Sequence, residues 1–216
     1  MKRASHSDVY ILNPDIEDYM ESLTPAGDSI LKEMEEHARV SEFPIVGPLV
    51  GRLLFQLALM INAKSVLELG SGFGYSAYWF AKAVGEDGSV VYTDISDENA
   101  RAAGDFFSRA GLGQRLDIRT GDAVKILKES PGGFDIIFND IDKEYYPLVV
   151  DAAYEKLRKG GIFITDNVLW SGRVLTQDDS PSTEGVREFT RLLFSNEGFF
   201  TTIMPLRDGV SVSVKL

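Results

Sequence analysis

No cysteine occurs anywhere in the 216 residues, so disulfides, thiolate zinc sites and cysteine nucleophiles are excluded. Histidine is nearly as scarce. Only His6 and His37 are present, too few for an imidazole metal site or a histidine-centred triad to be expected. Long apolar runs are missing too. The longest, Leu53 to Ile61, is interrupted by Gln56 and falls far short of the ~20 residues that cross a bilayer. Met1-Lys2-Arg3-Ala4-Ser5-His6 leads into no apolar stretch, so no signal peptide is expected and a cytoplasmic location is the default. Positive charge is in deficit, with 22 Lys and Arg against 33 Asp and Glu and a net charge of -11. Such a surface repels phosphate backbones, and broad nucleic-acid binding is disfavoured. Arg101, Arg109, Arg115 and Arg119 lie close in sequence, either as a local basic patch or as ordinary solvated surface.

What is present reads as one soluble domain spanning residues 1–216, with 44% hydrophobic and 25% charged residues. Helical spacing of apolar residues predicts helices over Asp28–Arg39 and Pro48–Asn62, with Asp28 or Ser29 as a cap and Pro48 in a first turn. From residue 65 short β-rich runs alternate with helical segments. Strands are predicted at Ser65–Leu69, Ser89–Thr93, Arg115–Thr120, Phe134–Asn139 and Gly161–Thr165. The helices between them are predicted near Ser76–Val84, Asp97–Ala110, Asp122–Lys128 and Tyr145–Arg158. Apolar strands separated by helices imply a parallel sheet covered on both faces. After a helix near Thr183–Ser195, the runs Phe199–Pro205 and Val210–Lys215 are joined only by Leu206–Gly209, which forces an antiparallel pair. The expected fold is α/β: a doubly wound, Rossmann-like sheet of seven strands, mostly parallel with one reversed. Strand order stays open, but ligands in such sheets sit beyond the carboxyl ends of the strands.

All five of the parallel strands' ends carry candidate chemistry. Glu68-Leu69-Gly70-Ser71-Gly72-Phe73-Gly74-Tyr75-Ser76 is strand, glycine turn, then helix, a junction where backbone can approach a ligand. It departs from the dinucleotide fingerprint, because Gly72 is followed three residues later by Tyr75 instead of glycine. Glu68 would repel a pyrophosphate but could receive hydroxyl or ammonium groups. Asp94 ends the next strand, where an acid can hold the two hydroxyls of a ribose, or merely serve the following turn. Gly121-Asp122-Ala123 follows the third strand. Asp140 follows the fourth strand, and Asp166-Asn167 the fifth. If those strands are neighbours, two carboxylates and an amide oxygen meet, a donor set suited to Mg²⁺ or a similar hard cation. Taken singly, each residue is also a common turn former or helix cap.

Glu68 through Ser76, Asp140-x-Asp142-Lys143-x-x-Tyr146 and Asp166-Asn167-Val168-Leu169-Trp170-Ser171-Gly172 resemble the cation-dependent O-methyltransferases of the caffeoyl-CoA and catechol type. The resemblance runs from about Pro44 to the closing hairpin. It implies S-adenosylmethionine as methyl donor, with Glu68 and Asp94 binding the adenosine ribose or its neighbours. Gly70, Ser71, Ser76 and Val46 would line the methionine end, Ala123 would touch adenine, and Asp142 would help hold the cofactor. Asp140, Asp166 and Asn167 would be the ligands of a divalent cation, Mg²⁺ in the first instance, with Lys143 and Asp140 as the catalytic pair and Lys143 as the base. It further implies a homodimer, and a small catechol-like or phenolic acceptor that meets the N-terminal helical region, residues 1–43. Residues 1–43 and the loop Arg173–Thr183 match no motif of the family, so the acceptor is open. A hydroxylated base in tRNA is an alternative acceptor, disfavoured by the acidic charge. A nicotinamide-dependent dehydrogenase and a non-catalytic cofactor-binding protein are the readings of other classes.

Overall fold

The computed structural model describes residues 11–216, so the readings of Met1–His6 lie outside the described residues. In chain order the helices and strands are α1 (Pro14–Leu23), α2 (Ser29–Ser41), α3 (Gly47–Met60), β1 (Ser65–Leu69), α4 (Tyr75–Ala83), β2 (Ser89–Asp94), α5 (Asp97–Arg109), β3 (Leu116–Thr120), α6 (Ala123–Glu129) and β4 (Phe134–Asn139). They continue with α7 (Val150–Lys156), β5 (Leu157–Thr165), α8 (Pro181–Ser195), β6 (Phe199–Met204) and β7 (Val210–Lys215). The sheet order is β3-β2-β1-β4-β5-β7-β6. Neighbours from β3 through β5 pair in parallel, and β7 runs antiparallel to both β5 and β6. The α/β fold with one reversed strand is therefore as expected, and β4 and β5 are indeed adjacent.

Alternation along the strands sends side chains to two cores. Val66, Ile136, Phe138, Ile162 and Ile164 pack on one face with Leu54 of α3 and Phe80 of α4. Leu67, Ile137 and Phe163 pack on the other with Ala153 of α7 and Phe189 and Leu193 of α8. Both faces are apolar because both are covered, which is why these strands read as nearly continuous hydrophobic runs. The order reverses between β1, which leads outward to β2, and β4 on its other side. Connections leave in opposite directions there and open a crevice at the strand ends.

Two expectations need correction. The helix predicted over Tyr145–Arg158 begins instead as a 3-10 helix, Lys143–Val149, with Pro147 inside it, since proline supplies no N–H to an α-helical ladder. Only Val150–Lys156 is α-helical, and β5 starts at Leu157, earlier than the predicted Gly161. Of the two readings of the arginines, ordinary surface fits three of them: Arg109 pairs with Glu33, Arg119 with Asp117, and Arg115 donates to the Ala81 carbonyl. Among the described residues, no helix is long and apolar enough to cross a membrane.

Candidate active site

A cavity of about 820 Å³ opens over the carboxyl ends of β1, β2, β4 and β5. It is bounded by Phe43–Val46 on one side and by Tyr145, Leu148, Asp166 and Asn167 on the other. Of the site residues expected from the sequence, Val46, Gly70, Ser71, Ser76, Asp94, Ala123, Asp140, Asp142, Lys143, Asp166 and Asn167 all line it. Glu68 does not. It is fully buried, and its Oε1 accepts a hydrogen bond from Ser76 Oγ, which is on the wall.

The glycine turn is drawn against the neighbouring strand ends. Gly70 has φ of 80°, and a Cβ there would lie 2.7 Å from the Asp140 carbonyl oxygen. Only glycine lets β1 end so close to the end of β4. Ser71 N donates to the Thr93 carbonyl at 2.7 Å, and Thr93 N returns a bond to Ser71 Oγ at 3.1 Å. Asp94 accepts from Gly72 N at 2.9 Å through one oxygen, and from Ser96 N and Asn99 Nδ2 at 2.8 and 3.2 Å through the other. Ser96, not Asp94, caps α5.

Burial dominates the electrostatics of Glu68 and lifts its carboxyl to about 7. Hydrogen bonds from Ser76 and Ser71 oppose the rise, while the charges of Asp140 and Asp94 add to it. One Glu68 oxygen, Oε2, is buried without a hydrogen-bond partner among the described residues. It is an acceptor in need of a donor.

The acids after β4 and β5 meet as the strand order requires. Asp140 N donates to the Leu69 carbonyl at 2.9 Å, and Asp166 N to the Asn139 carbonyl at 3.2 Å. Tyr146 OH holds the Asp166 carbonyl at 3.0 Å. Burial, reinforced by the charge of Asp140, pushes Asp166 to about 7. Burial also raises Asp140, against the pull of Lys143. Lys143 Nζ lies 2.9 Å from Asp140 Oδ1, and 5.4 and 5.7 Å from the ring centres of Tyr146 and Trp170.

Asp166 Oδ1 is buried with no hydrogen-bond partner among the described residues. Two crowded carboxylates with an orphaned oxygen form a site short of positive charge, and the donors are hard oxygens. These residues fit a divalent cation. Among the described residues no group of three or more His, Cys, Asp or Glu side chains is placed to hold a metal; the Asn167 amide, on the same wall, is a further oxygen-bearing group beside the two acids.

Some residues of the site escaped the sequence reading. Phe43, Ile95, Ser96, Asn99 and Leu148 line the cavity but belong to no recognisable motif. Asp208, in the turn between β6 and β7, does not itself line the cavity, yet it accepts from Ser171 N and faces Asn167 Nδ2 on the wall.

Known proteins bear on this arrangement. A family model described as O-methyltransferase matches residues 23–216. The catechol O-methyltransferase of Niastella koreensis is 34% identical over 179 residues, 78% of this chain and 81% of that protein. Caffeoyl-CoA O-methyltransferase 2 of Zea mays is 32% identical over 175 residues, covering 75% of this chain and 66% of that one. Among solved structures, the O-methyltransferase from Bacillus cereus in complex with SAH superposes with a TM-score of 0.85 at 29% identity. That match covers 94% of this chain and 97% of the other.

Proposed function

The chain belongs to the O-methyltransferase family, an S-adenosylmethionine-dependent class of enzymes, and on that premise we propose that it methylates a hydroxyl of a small catechol-like or phenolic acceptor with the help of a divalent cation, Mg²⁺ in the first instance. The observation that carries the reading is the pair of crowded acids, Asp140 and Asp166, with a buried Asp166 oxygen that has no partner among the described residues. Names of the relatives support the acceptor class, since they are catechol and caffeoyl-CoA O-methyltransferases.

The residues divide the work. Gly70, Ser71, Ser76 and Val46 would face the methionine end of the cofactor, Asp94 the ribose, Ala123 the adenine, and Asp142 would close that side. Glu68 would act on the cofactor from behind Ser76, either directly through its free oxygen or through the serine hydroxyl. Asp140, Asp166 and Asn167 would hold the cation. S-adenosylmethionine would supply an electrophilic methyl, and a divalent cation held by these residues would lower the cost of an oxyanion on the acceptor. Lys143 Nζ, 2.9 Å from Asp140 Oδ1, would take the acceptor proton. Phe43, Tyr145 and Leu148 give the remaining wall an apolar and aromatic character that suits a flat ring. A homodimer is the assembly proposed, on the family resemblance.

The test is methyl transfer from labelled S-adenosylmethionine to catechol and caffeoyl acceptors, with Mg²⁺ or with excess EDTA, in wild type and Asp166→Ala. Turnover is expected only with Mg²⁺, and EDTA inhibition should reverse on adding the metal back. Full turnover in EDTA, or an undiminished rate in Asp166→Ala, refutes the cation's role.

A further inference from the structure

Asp208 lies 41 residues from Asn167 in sequence but beside it in the fold. Its backbone and side chain hold the segment that follows Asp166. Leu169 N donates to the Asp208 carbonyl and Val168 N to the Gly209 carbonyl, each at 3.0 Å. The carboxylate adds two contacts: Oδ1 accepts from Ser171 N, and Oδ2 faces Asn167 Nδ2 at 3.5 Å. This segment needs holding, because Asn167, Trp170 and Ser171 have φ of 58°, 47° and 49°. Left-handed conformations of that kind are tolerated by asparagine but unfavourable for residues such as Trp170 and Ser171. The turn has no slack: a Cβ on Gly209 would lie 2.4 Å from Leu169 Cγ.

The consequence for Asn167 is chemical. A carboxamide offers an oxygen on one side and an NH₂ group on the other, and only the oxygen can ligate a hard cation. Half a turn about the last bond exchanges the two at little steric cost. A carboxylate beside the amide removes that freedom. With NH₂ toward Asp208 the contact is donor to acceptor. With oxygen toward Asp208 two acceptors oppose each other, and the amide hydrogens point where the cation should lie.

We propose that Asp208 is a positioning residue, selecting the Asn167 amide orientation that offers its oxygen to the cation held with Asp140 and Asp166. The inference rests on the cation-dependent reading given above. It differs from a general contribution of negative charge, because it acts through the identity of residue 167.

That difference sets the experiment. Mn²⁺ binding to the full chain saturated with S-adenosylhomocysteine is titrated by EPR of the free ion in four proteins: wild type, Asp208→Asn, Asn167→Asp and the double variant. Asp208→Asn keeps the size of the side chain and an acceptor for Ser171 N, but sets NH₂ against NH₂. It should weaken Mn²⁺ binding by about 10- to 100-fold, the usual loss when the outer partner of a metal ligand is removed. In the Asn167→Asp background the same substitution should strengthen binding, because an amide then donates to a carboxylate that Asp208 had repelled. Weakening in both backgrounds, as charge loss or a loosened loop would give, overturns the proposal. So does unchanged Mn²⁺ affinity in Asp208→Asn, or a parallel loss of S-adenosylhomocysteine affinity, which would assign Asp208 to folding. Wild type that binds no Mn²⁺ would refute the cation reading itself and the positioning role with it.

Discussion

Replacing Glu68 by glutamine isolates the electrostatic cost of the buried floor beneath the cavity. Burial raises this carboxyl to about 7 from an ordinary 4.5, so the folded protein holds the proton more tightly than the unfolded chain does. Below 4.5 both states are protonated and no stability is lost. As pH rises from 4.5 the unfolded chain ionises first, and folding loses stability until the folded group ionises near 7. At ~1.4 kcal/mol per pH unit, that separation amounts to about 3 kcal/mol. Glutamine preserves the shape and an oxygen for Ser76, but it does not titrate. The unfolding free energy of Glu68→Gln relative to wild type should therefore rise by about 2–3 kcal/mol between about pH 5 and about pH 8. Urea denaturation of the cofactor-free protein at a series of pH values measures it, and taking the difference between the two proteins cancels the other acids. A difference independent of pH would show that Glu68 ionises at its ordinary value and would refute the reasoning. Bound cofactor should reverse the trend, because hydroxyl or ammonium donors near the free oxygen favour the ionised form. S-adenosylhomocysteine affinity should rise with pH through about 7 in wild type and stay flat in the variant.

Lys143→Ala should lower turnover by about 100-fold or more, the range of a general base, with S-adenosylhomocysteine affinity measured by calorimetry unchanged; an unaltered rate would leave Lys143 as the partner of Asp140 only. Gly185 of α8 packs so tightly that a Cβ would lie 2.3 Å from the Lys143 carbonyl oxygen and 2.7 Å from Glu144 Cα. Gly185→Ala should cost about 1–3 kcal/mol in a denaturant titration and reduce turnover by displacing Lys143, and a fully active variant would show that α8 does not position the lysine. Thr165 Oγ1 is buried with no hydrogen-bond partner among the described residues. Thr165→Val, nearly the same shape, should be neutral or stabilise by up to about 1 kcal/mol; a clear loss in thermal unfolding would reveal a partner for the hydroxyl.

Periodicity served best where packing is two-sided. Strands β1 and β4 have the predicted bounds, because Val66-Leu67 and Ile136-Ile137 feed both cores and cannot be mistaken for surface. The start of β5 was hidden by Arg158, Lys159 and two glycines, which look like a turn but belong to a strand whose register with β4 shifts near Phe134. Helix α1 falls within the helical region expected over residues 1–43 but was given no bounds there: Ile16, Tyr19, Met20 and Leu23 recur at helical spacing, yet none of its residues is buried. The acids of the site were legible because strand ends concentrate function. Asp208 was not: Asp208-Gly209 announces only a hairpin turn, and its link to Asn167 exists in space alone. Phe43 and Leu148 are equally silent in sequence, each sitting among apolar neighbours with nothing to distinguish wall from core.

The two sides of the cavity are anchored differently. Residues proposed to meet the methyl donor sit on turns stitched to β1, β2 and β4 by backbone bonds. The outer rim comes from Phe43 to Ile45 on one side and from Tyr145 and Leu148 on the other, all of which lie outside the sheet. Replacements along that rim can alter which compound is accepted while the sheet and its two cores stay intact. Such a division leaves diversification of substrates open to drift at low risk to foldability, and it makes the rim the place where an engineer seeking a new acceptor should begin.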